Sequence, residues 1–119
     1  MKLEEIADCL GCELVVGKRN FKHDFEQVCA ADLMSDVLAY TTPGCLLLTG
    51  LRNAQSVVTA HMAEIKAIVY VRGKTPDDAA VKLAGQRGIP LLSTRLSMFE
   101  ACGLLHAKGL KPGVDMGKK

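Results

Sequence analysis

Short apolar runs that alternate with helical segments constrain this chain more than any other feature. Residues 45–48, 67–71 and 89–92 are apolar at nearly every position, which is typical of strands buried on both faces of a parallel sheet. Helix-start signals follow them, such as Asn53 and the segment Thr75-Pro76-Asp77-Asp78. Strand–helix repeats in succession indicate right-handed βαβ units. We therefore predict an α/β fold, a three-layer α/β/α sandwich around a mainly parallel sheet.

The remaining segments are less regular. Residues 2–10 predict an amphipathic helix, 12–16 and 26–31 predict short strands whose pairing we expect to be irregular, and 33–40 predict a short helix. In the helix after Asn53, Val57, Val58 and Met62 are predicted to face the core. The last helix is expected over residues 95–108. We predict a single domain over residues 1–109 and a flexible, polar, Gly-rich tail over 110–119.

Size and composition exclude several classes of protein. The chain has 119 residues, a net charge of +2, two Tyr, three Phe and no Trp. A single domain is expected at this length, and neither a concentrated basic face nor stacking rings are available for nucleic acid. Acidic residues near the N-terminus argue against a signal peptide, and no apolar run is long enough for a membrane span. Five cysteines without an export signal favour reduced thiols, so we expect a cytoplasmic protein.

Three loops should gather where the parallel strands end, because ligands bind outside the carboxyl ends of such strands. Each loop carries hydroxyl and basic side chains and leads toward a helix N-terminus, which favours anions. One interpretation is a site for a small anionic ligand, a nucleotide or a phosphorylated metabolite. The other is ordinary turn chemistry or a partner surface, in which the hydroxyl and amide groups cap helices. The candidate ligand-binding residues are Thr49, Gly50, Arg52, Asn53, Arg72, Gly73, Lys74 and Thr94.

Cysteine and histidine positions do not support catalysis. Cys9 and Cys12 form a CxxC, but at the C-terminus of a helix, where the helix dipole raises thiol pKa values. No second CxxC completes a zinc site. His61 is expected to be a partly buried neighbour of the core. We predict no enzyme activity, no metal and no cofactor, and we leave open a redox role for the Cys9/Cys12 pair.

The last helix is apolar over much of its circumference, with residues such as Leu96, Phe99 and Leu104. An exposed apolar face marks an interface, and two-fold homodimers are the commonest assembly. We predict a homodimer. The alternative is that the sheet edge and the tail cover this helix.

Three segments resemble the DRTGG domain family: residues 31–38, 43–50 and 89–94, within a similarity that covers roughly residues 3–107. Members of this family occur alone, beside CBS domains, in the middle of long phosphotransacetylases, and as a relative of the HPr kinase/phosphatase N-terminal domain. The resemblance implies an α/β/α sandwich, often dimeric, with a regulatory or sensory role and no established catalysis. This chain departs from the family at both named motifs, with Leu51 in place of an acid and Arg72-Gly73-Lys74 in place of Thr-Gly-Gly.

The function that follows from these observations is a non-catalytic regulatory module that binds a small anionic ligand at the strand ends. The alternative is a protein-interaction module that regulates a partner enzyme, metabolic or redox, without a small ligand.

Overall fold

The computed structural model describes residues 1–114. Helices and strands alternate along most of the chain, as the apolar runs predict. The elements are α1 (Leu3–Leu10), β1 (Glu13–Val16), β2 (Gln27–Ala30), α2 (Met34–Tyr40), β3 (Leu46–Thr49), α3 (Ala54–Met62), β4 (Ala67–Tyr70), α4 (Asp78–Arg87), β5 (Leu91–Ser93), α5 (Met98–Ala107) and β6 (Lys111–Pro112).

The strands form one six-stranded sheet with the order β1-β5-β4-β3-β2-β6. The pairs from β2 to β5 are parallel and join strands that are consecutive in the chain. β1 is antiparallel to β5, with Glu13 opposite Ser93 and a register irregularity between Leu14 and Val16. The irregular pairing expected for the first strand is therefore confirmed.

Two apolar cores lie on the two faces of the sheet. The connections β2-α2-β3-α3-β4-α4-β5 all advance in the same direction across the sheet, so right-handed crossovers place α2, α3 and α4 on one face. Val37, Val57 and Ala84 of these helices share a buried cluster. Ile6 of α1 and Leu105 of α5 belong to the other cluster. The predicted α/β/α sandwich is confirmed.

Two helices begin later than predicted, because better capping groups lie further along the chain. α4 is capped by Asp77, whose carboxylate accepts from Ala80 N at 2.9 Å, rather than by Thr75. α5 begins at Met98 after a capping box between Ser97 and Glu100, not at residue 95. In both places a carboxylate or hydroxyl two or three residues downstream satisfies the free N–H groups.

The predicted buried face of α3 is wrong at two positions. Val58 and Met62 are 44% and 61% exposed, and the buried face consists of Ser56, Val57 and Ala60 together with Thr59. The small residues allow α3 to approach the sheet, where the Ser56 and Tyr70 hydroxyls lie 2.8 Å apart in a buried hydrogen bond. This bond satisfies the buried Ser56 hydroxyl, and apolar periodicity alone does not reveal that a polar residue belongs to the buried face.

The structure places the start of the predicted tail differently. Leu110 is only 7% exposed, and β6 pairs parallel to β2. Lys111 N donates to Glu26 O at 3.0 Å and Gly113 N to Val28 O at 2.8 Å. Residues 110–114 therefore extend the sheet, because the backbone of β2 offers an unpaired edge. The predicted tail also includes residues 115–119, which lie outside the described part of the chain.

Candidate functional site

Four loops meet at the edge where β2, β3, β4 and β5 end, because these strands are parallel. Three of them carry the predicted site residues, and the fourth, after β2, carries Asp32. The N-terminal end of β1 lies at the same edge, since β1 is antiparallel to β5. The structure thus brings the predicted residues to one edge of the sheet, but some of their side chains form hydrogen bonds within the fold and others line a cavity.

Three of the predicted ligand-binding residues use their polar groups to hold the fold. The Thr49 hydroxyl donates to Asp32 Oδ1 at 3.0 Å, and the Thr94 hydroxyl donates to Leu10 O at 2.6 Å. Asn53 Oδ1 accepts from Gln55 N at 3.1 Å and so caps α3. Thr49 and Thr94 are also fully buried. For these residues the interpretation as turn and cap chemistry fits the geometry better than a role as ligand contacts.

Arg52 connects two loops. Its Nε donates to Thr75 O at 2.6 Å, and its carbonyl oxygen accepts from Asp77 N at 3.0 Å. Lys74 is exposed, and its carbonyl oxygen accepts from the Ser93 hydroxyl at 2.6 Å. The β4–α4 loop is thereby tied both to the loop after β3 and to the end of β5, and the Lys74 ammonium remains in solvent.

Arg72 lies across Gly50 toward the loop after β2. Its Nη2 is 3.8 Å from Asp32 Oδ2, and Asp32 Oδ1 also accepts from Gly50 N at 2.7 Å. A Cβ at Gly50 would overlap the Arg72 guanidinium, whose Cζ would be only 3.0 Å away. A side chain at position 50 would displace the flexible end of Arg72, so glycine there allows the guanidinium to reach Asp32.

The backbone of Arg72 is itself unusual. Arg72 has φ 59° and Gly73 has φ 71°, both in the left-handed region. For a residue with a Cβ this conformation costs roughly 1–2 kcal/mol. Two hydrogen bonds hold the turn, from Arg72 N to Leu96 O and from Gly73 N to Thr94 O, each 2.8 Å. Non-glycine residues in this region concentrate at functional sites.

A polar cavity of about 500 Å³ opens beside this turn. Its charged lining residues besides Arg72 are Arg95 and Glu13, which make no ion pair with any other residue in the range 1–114. Of the predicted site residues, only Arg72 and Gly73 line it. The lining residues are Gly11, Glu13, Arg72, Gly73, Thr75, Ser93 and Arg95.

Sequence reasoning missed Asp32, Glu13 and Arg95 as site residues, for different reasons. Asp32 follows a fourth parallel strand, so the same edge argument extended to β2 would have found it. Glu13 reaches the site only because β1 runs antiparallel to β5, which local sequence does not specify. Arg95 stands in one of the three loops that the edge argument had already selected.

A second cavity, of about 390 Å³, lies at the opposite edge of the sheet. It is lined by Phe21, His61, Glu64, Ile65, Lys66, Arg87, Gly88 and Ile89. His61 is exposed there, not partly buried as predicted. We favour the first cavity as the candidate site because the carboxyl ends of parallel strands are where such sheets bind ligands.

Titratable groups with shifted pKa values do not form an acid–base pair. Hydrogen bonds from the Ser97 backbone and hydroxyl lower the pKa of Glu100. Burial, with a smaller contribution from Cys9, raises the pKa of Cys12 to about 11, so this thiol is protonated at neutral pH. Among residues 1–114, side chains of His, Cys, Asp and Glu do not gather in groups of three that could hold a metal ion. Over the same residues, no helix has the length and apolar character needed to cross a bilayer.

Comparison with known proteins identifies the family. No curated protein is similar enough in sequence to count as a match. Among solved structures, the chain is similar to the CBS and DRTGG domains of the regulatory region of Clostridium perfringens pyrophosphatase, complexed with its activator diadenosine tetraphosphate. The TM-score is 0.71 at 19% identity, over 87% of this chain and 45% of that chain, so this chain spans less than half the length of that structure. The sequence profile of the DRTGG domain matches residues 5–107, and the chain therefore belongs to the DRTGG domain family.

Proposed function

We propose that this chain is a non-catalytic regulatory module that binds a nucleotide or another phosphorylated small molecule in the cavity at the strand ends. The cavity carries this proposal. Its volume of about 500 Å³ is within the range of small-molecule pockets. Its Arg95 guanidinium makes no ion pair with any other residue of the described chain. Guanidinium groups bind phosphate through two parallel hydrogen bonds.

The proposal reassigns the basic contacts predicted from sequence. The Arg52 side chain already donates a hydrogen bond to the Thr75 carbonyl oxygen. We therefore assign the contacts with the ligand's anionic group to Arg95 and Arg72, with Lys74 at the exposed rim of the cavity. Gly73 allows a ligand to approach the backbone closely. The Glu13 carboxylate is suited to accept hydrogen bonds from a hydroxyl or amino group, which a nucleotide or a sugar phosphate carries and a bare phosphate lacks.

The similar pyrophosphatase region supports the choice of ligand class for a first test. That region was crystallised with a nucleotide activator, and it contains CBS domains besides the DRTGG domain. The similarity extends to the fold of one part of that region. It supports the regulatory role that we propose for this chain and makes nucleotides the first compounds to screen.

A thermal-shift screen tests the proposal. Nucleotides, sugar phosphates and acyl-CoA compounds are added to the wild-type protein and to the Arg95→Ala and Arg72→Ala variants. Arg87→Ala is the matched control, because Arg87 lines the cavity at the opposite edge. A ligand at 100 times its Kd stabilises the folded state by about 2.7 kcal/mol. We expect a stabilisation that Arg95→Ala abolishes and Arg87→Ala preserves. Failure of every compound, or loss only in Arg87→Ala, contradicts the proposal.

A second candidate function is a protein-interaction module, and α5 favours it. Phe99 is 86% exposed and Leu104 is 42% exposed on this helix. Gly103 is also exposed and lies one turn after Phe99, so the Phe99 ring of a second copy could pack over Gly103 in a two-fold pair. We therefore include a homodimer through α5, and regulation of a partner enzyme in the cytoplasm, in the proposal.

Sedimentation of Phe99→Ser against wild type tests the dimer. A wild-type dimer that becomes a monomer in Phe99→Ser is the expected result, with Val58→Ser as a control for exposed apolar area elsewhere. A wild-type monomer at all concentrations removes the dimer from the account and leaves the ligand proposal intact.

A further inference from the structure

The position of the Arg72 side chain carries an inference about regulation of the proposed site, and it rests on the proposed function. Arg72 follows β4 and lines the cavity, which lies toward β5 and β1. Its guanidinium, however, crosses Gly50 in the opposite direction, over β3, and contacts Asp32 after β2. Arg72 therefore lines the cavity on one side of its own strand, and its guanidinium contacts Asp32 on the other side.

We infer that Asp32 competes with the cavity ligand for Arg72, so that ligand binding frees the Asp32 carboxylate from the guanidinium. In the structure the contact with Asp32 is long, 3.8 Å, and both side chains are about half exposed. An exposed ion pair of this kind is weak and easily exchanged. A phosphate in the cavity would offer Arg72 a closer, two-point partner beside Arg95.

The backbone of Arg72 stays in place while its side chain exchanges partners. The hydrogen bonds from Arg72 N and Gly73 N to the β5–α5 loop hold the turn. Asp32 likewise keeps its bonds from the Thr49 hydroxyl and Gly50 N. Only the flexible end of Arg72 needs to move, and the contact at Gly50 is with that flexible end.

The Asp32 carboxylate lies beside an exposed apolar surface on α2. Asp32 is followed by Leu33, which is 60% exposed and immediately precedes α2, and Leu38 and Tyr40 of α2 are also exposed. Freeing the Asp32 carboxylate from Arg72 changes the charge beside this apolar surface. Ligand binding in the cavity beside β5 thereby changes the surroundings of α2, the helix that follows β2, three strands away in the sheet.

Asp32→Asn tests this inference with little disturbance. An Asn side chain keeps an acceptor for Thr49 and Gly50 and replaces the oxygen near Arg72 by an NH₂ group, which cannot pair with a guanidinium. The control is Asp36→Asn, which removes the same charge from α2 at a residue without an ion pair to the described chain. The probe is inorganic pyrophosphate, which reports guanidinium binding without a base or sugar.

We expect Asp32→Asn to bind pyrophosphate about two- to fivefold more tightly than wild type in calorimetric titrations, the range for release of an exposed ion pair. Asp36→Asn should bind like wild type, and the gain should vanish in Asp32→Asn/Arg72→Ala. Equal affinity in wild type and Asp32→Asn, or a gain that persists without Arg72, overturns the inference and leaves the proposed function standing. Absence of pyrophosphate binding in every variant overturns the inference, and the thermal-shift screen with nucleotides then tests the proposed function separately.

A measurement without ligand adds an independent check. ¹⁵N relaxation of the Arg72 Nε group reports its mobility on the picosecond–nanosecond scale. We expect faster motion in Asp32→Asn than in wild type and no change in Asp36→Asn. Identical Arg72 mobility in all proteins shows that Asp32 does not restrain the guanidinium and refutes the inference.

Discussion

Gly113→Ala should destabilise the domain, because Gly113 is packed inside it. A Cβ at this position would overlap Cys45 Sγ and lie 3.3 Å from the carbonyl group of Val28. Cys45 is fully buried, and Val28 belongs to β2, so neither neighbour has free space behind it. The surrounding hydrogen bonds, from Gly113 N to Val28 O and from Thr42 N to Gly113 O, are 2.8 Å each.

The magnitude follows from two opposing effects. Inserting a methyl group into a packed site costs about 1–3 kcal/mol. Alanine also restricts the unfolded chain, which returns roughly 0.4–1 kcal/mol. The extremes of these ranges give a net loss between about 0 and 2.6 kcal/mol, and their middle values give about 1–2 kcal/mol. For a domain of this size each kcal/mol lowers Tm by about 3–5 °C, so we expect Tm to fall by roughly 3–10 °C.

Thermal and urea unfolding of four proteins measure this effect: wild type, Gly113→Ala, Cys45→Ala and the double variant. Removing the Cys45 sulfur relieves the overlap. The double variant should therefore lose less free energy of unfolding than the two single variants lose together, by roughly 0.5–3 kcal/mol. The control is Gly85→Ala, an exposed glycine of α4 with open space around it. Alanine there should stabilise the helix by about 0.5–1 kcal/mol.

Two results would refute the reasoning. Wild-type stability in Gly113→Ala would mean that residues 110–114 form the flexible tail predicted from sequence. Additive effects of Gly113→Ala and Cys45→Ala would mean that the two residues do not touch. Either result would contradict the packing of Gly113 against Cys45.

Three further predictions concern stability. Arg72→Gly should be more stable than Arg72→Ala by about 1 kcal/mol in urea unfolding, because only glycine relieves the left-handed backbone at φ 59°; equal stability would show that the turn is not strained. Tyr70→Phe should cost about 0.5–1.5 kcal/mol, because it removes the buried hydrogen bond to the Ser56 hydroxyl; an unchanged urea midpoint would contradict that bond. Burial raises the pKa of Cys12 from 9.0 to about 11, so the folded state holds this proton more tightly. The contribution of the Cys12 thiol to the free energy of unfolding should be fully present below pH 9. It should decline as the pH rises from 9 through about 11. Cys12→Ala should reduce that decline relative to wild type, and parallel pH curves for the two proteins would oppose the assignment.

Regular features of the fold could be predicted because they are local. The apolar runs at residues 45–48 and 67–71 identify buried strands, and Asn53 caps α3 as expected. The rotation of α3 could not be predicted, because its buried face includes the polar residues Ser56 and Thr59, and Ser56 is bonded there to Tyr70 of a distant strand. The strand β6 was missed for a similar reason: two residues, Lys111 and Pro112, become a strand only because β2 lies beside them.

The candidate site shows the same division. Parallel strands bring the loops after β3, β4 and β5 to one edge, and two of the residues selected by this argument, Arg72 and Gly73, line a cavity there. The same argument could not predict which polar side chains form hydrogen bonds within the chain and are therefore not free to bind a ligand. Thr49 and Thr94 have the composition of ligand contacts, yet their hydroxyl groups are buried and bonded within the chain. Such pairing depends on tertiary distances, which residue types alone do not contain.

The most direct test of the central claim is the location of bound nucleotide. ¹H–¹⁵N spectra of the full chain during titration with ADP report which backbone amides change. The account predicts shifts concentrated at Gly73, Ser93 and Arg95, around the cavity at the strand ends. Shifts concentrated at Lys66, Arg87 and Gly88, around the cavity at the opposite edge, or no shifts at all, would contradict it.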